Sequence, residues 1–296
     1  MTNPGNTGLL GHRPRKRFGQ HFLAPAWAAK VVAAIAPEPG DVFLEIGPGR
    51  GALTLPLAAT GAPLLAVEID RDLARALATE APRNVTLMRG DVLETDVVPF
   101  LSGLEPQRPL ATAAGPGPGR RVRVVGNLPY NLTSPIFYRL AELQEQHRLF
   151  HDATLMVQRE VADRLAARPR SRDYGVLTVS MALVGQITRI LDLPPGAFRP
   201  APKVRSSVIK LTFGPPPVRV PDPAFFVKVV KHVFGQRRKM VGNALKGFTP
   251  QALDILRSSG INPERRPETL TFAEFARLAA ETQARLRPVP DKPPVL

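Results

Sequence analysis

Apolar residues fall in short runs that each contain a single polar residue, separated by stretches in which they recur at every third or fourth position. Runs at 42–46, 64–69, 85–88, 122–125 and 154–157 have the length of strands buried on both faces. The intervening stretches at 51–59, 71–79, 134–143 and 160–166 have helical spacing, and a helix at 25–36 gathers Trp27, Val31, Val32 and Ile35 on one side. This alternation predicts an α/β fold, a parallel sheet with crossover helices. Runs at 176–183, 186–191 and 208–213 read as its last strands. The segment 104–119, rich in Pro, Gly and Ala and without periodicity, reads as an exposed loop insertion. Gly214-Pro215-Pro216-Pro217 ends the alternation, because three prolines cannot continue a central strand. Beyond it the pattern is helical at 223–234, 240–245, 250–258 and 272–285. The expected organisation is a flexible leader over 1–14, an α/β domain over 15–213, a helical domain over 218–286 and a disordered tail over 287–296.

Charge adds a partner to this picture. The 296 residues carry 40 Lys and Arg against 25 Asp and Glu, a net charge of +15. A polyanion is the simplest explanation, and a GC-rich coding preference for Arg and Ala is the competing one. Basic clusters at Arg13–Arg17, Arg168–Arg172, Lys203–Arg205 and Arg237-Arg238-Lys239 favour the polyanion. Cysteine is absent, which excludes disulfides and thiolate chemistry and suits a cytoplasmic protein. No run approaches the ~20 apolar residues of a membrane span, and no signal peptide opens the chain, so no membrane partner is expected. His147 and His151 stand at helical i, i+4 spacing without acidic companions; they read as a solvated helix face, and no metal site is expected.

Candidate chemistry concentrates at strand ends. Glu45-Ile46-Gly47-Pro48-Gly49-Arg50-Gly51 follows a strand and opens a helix, the place where nucleotide-type cofactors sit in doubly wound folds. Its glycine spacing differs from the dinucleotide fingerprint, and its leading acid suits a ligand with an ammonium group better than a pyrophosphate. Glu68 ends the second strand, where a carboxylate can accept ribose hydroxyls; Asp91 follows the third, where it can accept from an adenine amine. Each acid alone could be a helix N-cap. Three in register describe a pocket for S-adenosylmethionine. Asn127-Leu128-Pro129-Tyr130 follows the fourth strand. The Asn127 carbonyl and the Leu128 carbonyl, held by Pro129, can each accept one N–H of a planar exocyclic amine, favouring the pyramidal nitrogen needed for attack. Tyr130 offers a ring on which a base can stack.

These motifs, with Lys16-Arg17-Phe18-Gly19-Gln20-His21-Phe22-Leu23, the segment from Phe198 to Val208 containing Pro200, Lys203, Ser206 and Ser207, and Phe234 to Met240, resemble the 16S ribosomal RNA adenine N6,N6-dimethyltransferases, the KsgA/RsmA family. The likeness spans roughly residues 15–285. It implies a class I, Rossmann-like S-adenosylmethionine-dependent methyltransferase with a small helical C-terminal domain that binds RNA. It also implies dimethylation of two adjacent adenosines in a hairpin loop near the 3′ end of 16S rRNA, within the small subunit or its precursor, by a monomer. Carried over by position, His21, Leu23, Gly47, Glu68, Asp91 and Asn127 line the cofactor site. Asn127 and Tyr130 are the catalytic pair; Leu128, Pro129, Tyr130 and Phe198 hold the target base, and Arg237, Arg238 and Lys239 hold RNA. Position 21 departs from the family, which usually has Asn there, and the 104–119 segment is longer than the family leads one to expect. The alternatives are a 23S rRNA adenine methyltransferase of the antibiotic-resistance type, a non-catalytic assembly factor on the same fold, and a dehydrogenase.

Overall fold

The computed structural model describes residues 14–15, 19–103 and 121–286. The expected leader up to residue 13, the insertion at 104–119 and the tail at 287–296 lie outside the described residues. In chain order the elements are β1 (Phe22–Leu23), α1 (Pro25–Ile35), β2 (Asp41–Ile46), α2 (Thr54–Ala58), β3 (Leu64–Glu68), α3 (Arg71–Glu80), β4 (Val85–Arg89), α4 (Val98–Gly103), β5 (Arg121–Asn127), α5 (Thr133–His147) and β6 (Phe150–Gln158). They continue with α6 (Arg159–Leu165), α7 (Val176–Met181), β7 (Gly185–Leu193), β8 (Phe198–Arg199), β9 (Ser206–Phe213), α8 (Pro223–Gly235), α9 (Val241–Lys246), α10 (Ala252–Ser258) and α11 (Phe272–Leu286).

Seven strands form one sheet in the order β4-β3-β2-β5-β6-β9-β7, and β1 pairs antiparallel with β8 in a separate ribbon. From β4 to β6 the pairs are parallel; β9 joins β6 antiparallel. Every residue of β2 and β3 is buried, as expected for strands covered on both faces. Strand order reverses between β2 and β5, which opens a crevice at their carboxyl ends. Gly126, opposite Ile46 in the register, allows the two strand ends to approach. A Cβ there would fall 2.6 Å from the Ile46 carbonyl oxygen.

At the opposite end of the sheet a buried ion network joins four strands, β2, β5, β6 and β9. Arg123 of β5 donates to Asp152 of β6 and Asp41 of β2, each at 2.9 Å, and to the Ile35 and Ala36 carbonyls that end α1. Lys210 reaches Asp152 at 3.0 Å. Burial works to raise the Asp152 carboxyl, but hydrogen bonding and charge from Arg123 and Lys210 hold it below the ordinary carboxylate range.

The chain divides into two units: residues up to Ala162 with Gln186–Phe213, and Asp163–Gly185 with Gly214 onward. The change at Gly214 coincides with the proline run. Residues 163–185, expected in the α/β domain, pack instead in the helical unit, where Tyr174 and Val179 join a core with Phe226, Val230, Phe234 and Phe275. The expected strand at 176–183 is the helix α7. Its β-branched content reads as strand, but it forms a helix whose Val179 packs into the core of the helical unit. His147 and His151 do not share a helix, because Arg148 takes a left-handed conformation (φ 52°) that ends α5 before β6 begins.

Candidate active site

The crevice at the ends of β2, β3 and β5 is a cavity built from the glycine turn, the segment leading into α1 and the Asn127 tetrapeptide. Gly47 takes φ +66°, and a Cβ there would project into open space along the cavity wall. A glycine at this position therefore keeps room that a ligand can fill.

Two acids shape the floor. Glu68 accepts the Gly49 N–H at 3.0 Å through Oε2 and the Asp70 N–H at 2.8 Å through Oε1. It fixes the glycine turn against β3, and each oxygen has a second lone pair for a hydroxyl. Burial raises its carboxyl, and the backbone N–H groups of Asp70, Gly49 and Ile69 oppose that rise. Glu45 is buried at 2% exposure, and its Oε2 has no hydrogen-bond partner in the protein. Burial pushes its carboxyl up to about 8, with Thr54 acting against the shift and the Glu68 charge adding to it. A buried carboxylate oxygen without a partner is the group that a ligand cation would satisfy. With the open wall at Gly47, this donor set fits S-adenosylmethionine.

Asp91 is not brought into the cavity lining. Its Oδ1 accepts the Leu93 N–H at 2.9 Å in the turn after β4, so the side chain closes a local turn. Asp70 is likewise a cap: it receives the Asp72 N–H at the start of α3. It also accepts from Arg15 and Gln20, each at 2.9 Å, which ties the segment entering the site to α3. Arg15 pairs with Asp72 as well, so this member of the expected N-terminal phosphate cluster is committed within the fold.

The Asn127 amide has a defined orientation. Its Nδ2 donates to the His21 main-chain oxygen at 2.7 Å, which leaves Oδ1 as the acceptor at the cavity. The Leu128 N–H donates to the Met156 carbonyl at 3.1 Å, holding the tetrapeptide to β6. Tyr130 is fixed at its hydroxyl by Ser206 at 2.9 Å, and burial raises that phenol. The ring of His21 stacks on it, with centroids 5.7 Å apart and planes at 24°, and His21 Nδ1 lies 2.7 Å from the Pro200 carbonyl oxygen. Since a carbonyl only accepts, that nitrogen carries the proton. Leu23 and Pro129 complete the expected lining.

Phe198, expected opposite Tyr130, is fully buried in the core beside Leu23, its partner in the β1–β8 ribbon. The aromatic facing Tyr130 is His21. Sequence reasoning also missed Arg50, whose guanidinium lies 4.2 Å from the Phe22 ring centroid at the cavity; an Arg four residues before a helix carries no signal of such a contact. Arg237, Arg238 and Lys239 belong to the helical unit, where Arg238 and Lys239 are exposed.

A Rossmann-like sheet with a glycine turn, strand-end acids and an oriented amide acceptor defines an S-adenosylmethionine-dependent methyltransferase. Residues 11–284 match the family model for ribosomal RNA adenine dimethylase, and the chain belongs to that family. It is 41% identical over 273 residues to ribosomal RNA small subunit methyltransferase A of Acinetobacter baylyi, covering 91% of this chain and 92% of that one. Against the protein of the same name from Anaeromyxobacter sp. (strain K), identity is 44% over 271 residues, covering 90% and 92%. In fold it is similar to a dimethyladenosine transferase from Plasmodium falciparum, with a TM-score of 0.69 over 90% of this chain and 98% of the other at 22% identity.

Proposed function

We propose that this enzyme dimethylates N6 of two adjacent adenosines in a hairpin loop near the 3′ end of 16S rRNA, acting as a cytoplasmic monomer on the small subunit or its precursor. The observation that carries the reading is the Asn127 amide, whose nitrogen is held by His21 so that its oxygen is presented beside the Tyr130 ring. The name shared by the relatives above favours the small-subunit RNA over the large-subunit alternative.

S-adenosylmethionine, when bound, supplies a methyl group on a positively charged sulfur. Glu68 would hold its ribose and Glu45 its ammonium group. Asn127 Oδ1 and the Leu128 carbonyl accept the two N–H bonds of the target amine and draw its lone pair out of conjugation, an interaction that strengthens toward the transition state. Tyr130 stacks the extruded base, offsetting the few kcal/mol that extrusion costs. Methyl transfer leaves the nitrogen as a positively charged ammonium, which is acidic and passes one of its protons to water. The protein's contribution is orientation in a preorganised site.

The raised Glu45 carboxyl gives this reading a pH signature. Below about 8 the free protein holds Glu45 protonated, so pairing with an ammonium releases a proton. Cofactor affinity is expected to rise roughly tenfold per pH unit toward about 8, then to decline as the ligand's own amino group, with a pKa of about 7.7–8.0, loses its charge. Glu45→Gln removes the acid-side rise. Calorimetric titration from pH 6 to 9 reads this directly; a flat wild-type profile contradicts Glu45 as the cation's partner. Stability moves the other way. The folded pKa of Glu45 lies above its ordinary 4.5, so its contribution is complete below that value and is lost as pH climbs to about 8. The Gln variant should therefore gain melting temperature over wild type at the alkaline end.

The function itself is tested in cells. Primer extension across the 3′ region of 16S rRNA stops at dimethyladenosine; the stops should vanish in a deletion strain and return with the wild-type gene. Stops that persist in the deletion strain contradict the reading.

A further inference from the structure

In the helical unit, the segments 168–172 and 237–239 are tied to each other. Arg237 Nη2 donates to the Arg172 carbonyl at 2.7 Å and lies 3.4 Å from that of Ser171. Its Nε faces the Glu268 carboxylate at 3.8 Å. Glu268 in turn accepts the Arg170 N–H at 2.7 Å through its main-chain oxygen. Arg170 sits at φ +74°, the left-handed conformation of a sharp turn, and Tyr174 just beyond packs edge-on against Phe234. The loop backbone is thus pinned from two sides, while Arg168, Arg170 and Arg172 remain exposed, as do Arg238 and Lys239.

Arg237 therefore does not serve as the sequence motif implies. Its guanidinium donates to two carbonyls and faces a carboxylate, which fixes its direction. A loop carrying three outward arginines held beside two further cations has no folding rationale, since like charges brought together repel. It does have a rationale if phosphates lie across it.

We infer that Arg168, Arg170 and Arg172 form a second phosphate-binding edge, continuous with Arg238 and Lys239, and that Arg237 is the positioning residue that holds this edge in place. The partner is the sugar-phosphate backbone of RNA, read without regard to sequence. The inference rests on the proposal that the chain acts on ribosomal RNA.

The test measures affinity for transcribed small-subunit RNA across a salt series with the full-length protein. Replacing Arg168, Arg170 and Arg172 together with Ala should reduce the log–log salt slope by about 2–3, at roughly 0.7–0.9 per lost contact. The triple Lys variant should keep the wild-type slope. Arg237→Gln should reproduce most of the Ala triple's loss, and combining the two should add little, because both act through the same loop. S-adenosylmethionine affinity should be unchanged throughout. A triple Ala variant with a slope parallel to wild type overturns the phosphate edge; losses that add in full overturn the positioning role of Arg237. Wild-type protein that methylates the RNA while the triple Ala variant binds it normally sinks this inference alone. Wild-type protein that fails to methylate any ribosomal RNA sinks the functional reading beneath it.

Discussion

Replacing Asn127 with Ala should lower the rate of methyl transfer about 10²–10³-fold at saturating substrates, the loss typical of removing one preorganised polar group from a developing charge. RNA affinity should change little, because the interaction forms chiefly in the transition state. The geometry supports a finer dissection. Asn127 Nδ2 donates to the His21 carbonyl at 2.7 Å, so Asn127→Asp keeps an acceptor but loses that donor and sets an oxygen against an oxygen. The Asp variant should thus lose both rate and the position of the segment around His21, whereas the Ala variant leaves a gap. Single-turnover methylation with saturating RNA separates chemistry from binding. Turnover near wild type in the Ala variant would show that the amine is activated elsewhere.

The second large effect concerns stability. Arg123→Met should cost about 3–5 kcal/mol, the range for removing one partner from a buried ion network. Asp41 and Asp152 would lose their shared cation, with Lys210 left to Asp152 and Arg121 to Asp41, while the Ile35 and Ala36 carbonyls lose their donor. Since the folded pKa of Asp152 is depressed, its contribution is present above the ordinary carboxylate value of 3.8 and is lost as pH falls through the folded pKa. The variant should accordingly show a weaker pH dependence of unfolding at the acid end. Denaturant titration from pH 3 to 7 measures both effects. The network lies at the sheet end opposite the cavity, so folded variant protein at low temperature should keep its cofactor affinity. A loss below about 1 kcal/mol would show that the buried charges cost as much as they stabilise.

The parallel half of the sheet was legible because strands buried on both faces leave predominantly apolar runs instead of an apolar–polar alternation, as at β2 and β3. α7 was not. Its Val176, Thr178 and Val179 are strand-formers, and only packing against the helical core decides otherwise. The two-residue strands β1 and β8 are set by their pairing and carry no local pattern. In the site, Glu68 and Asn127 could be read from strand-end position, because the ends of parallel strands face the crevice. Asp91 and Phe198 also sit near strand ends, but one closes a turn and the other points into the core. Residue type and position do not reveal side-chain direction. Arg237 shows the same limit: a basic triplet shows charge, and the carbonyls its guanidinium donates to lie more than sixty residues away.

The most direct measurement of the central claim is reconstitution. Purified protein, S-adenosylmethionine and 16S rRNA from a strain without the modification, presented in its small subunit, are incubated and the RNA is digested to nucleosides for mass spectrometry. The account predicts N6,N6-dimethyladenosine at two adjacent positions in one 3′-proximal hairpin loop, with wild-type protein and not with the Asn127→Ala variant. Methylation confined to large-subunit RNA, or no methylated adenosine with wild-type protein, would contradict it.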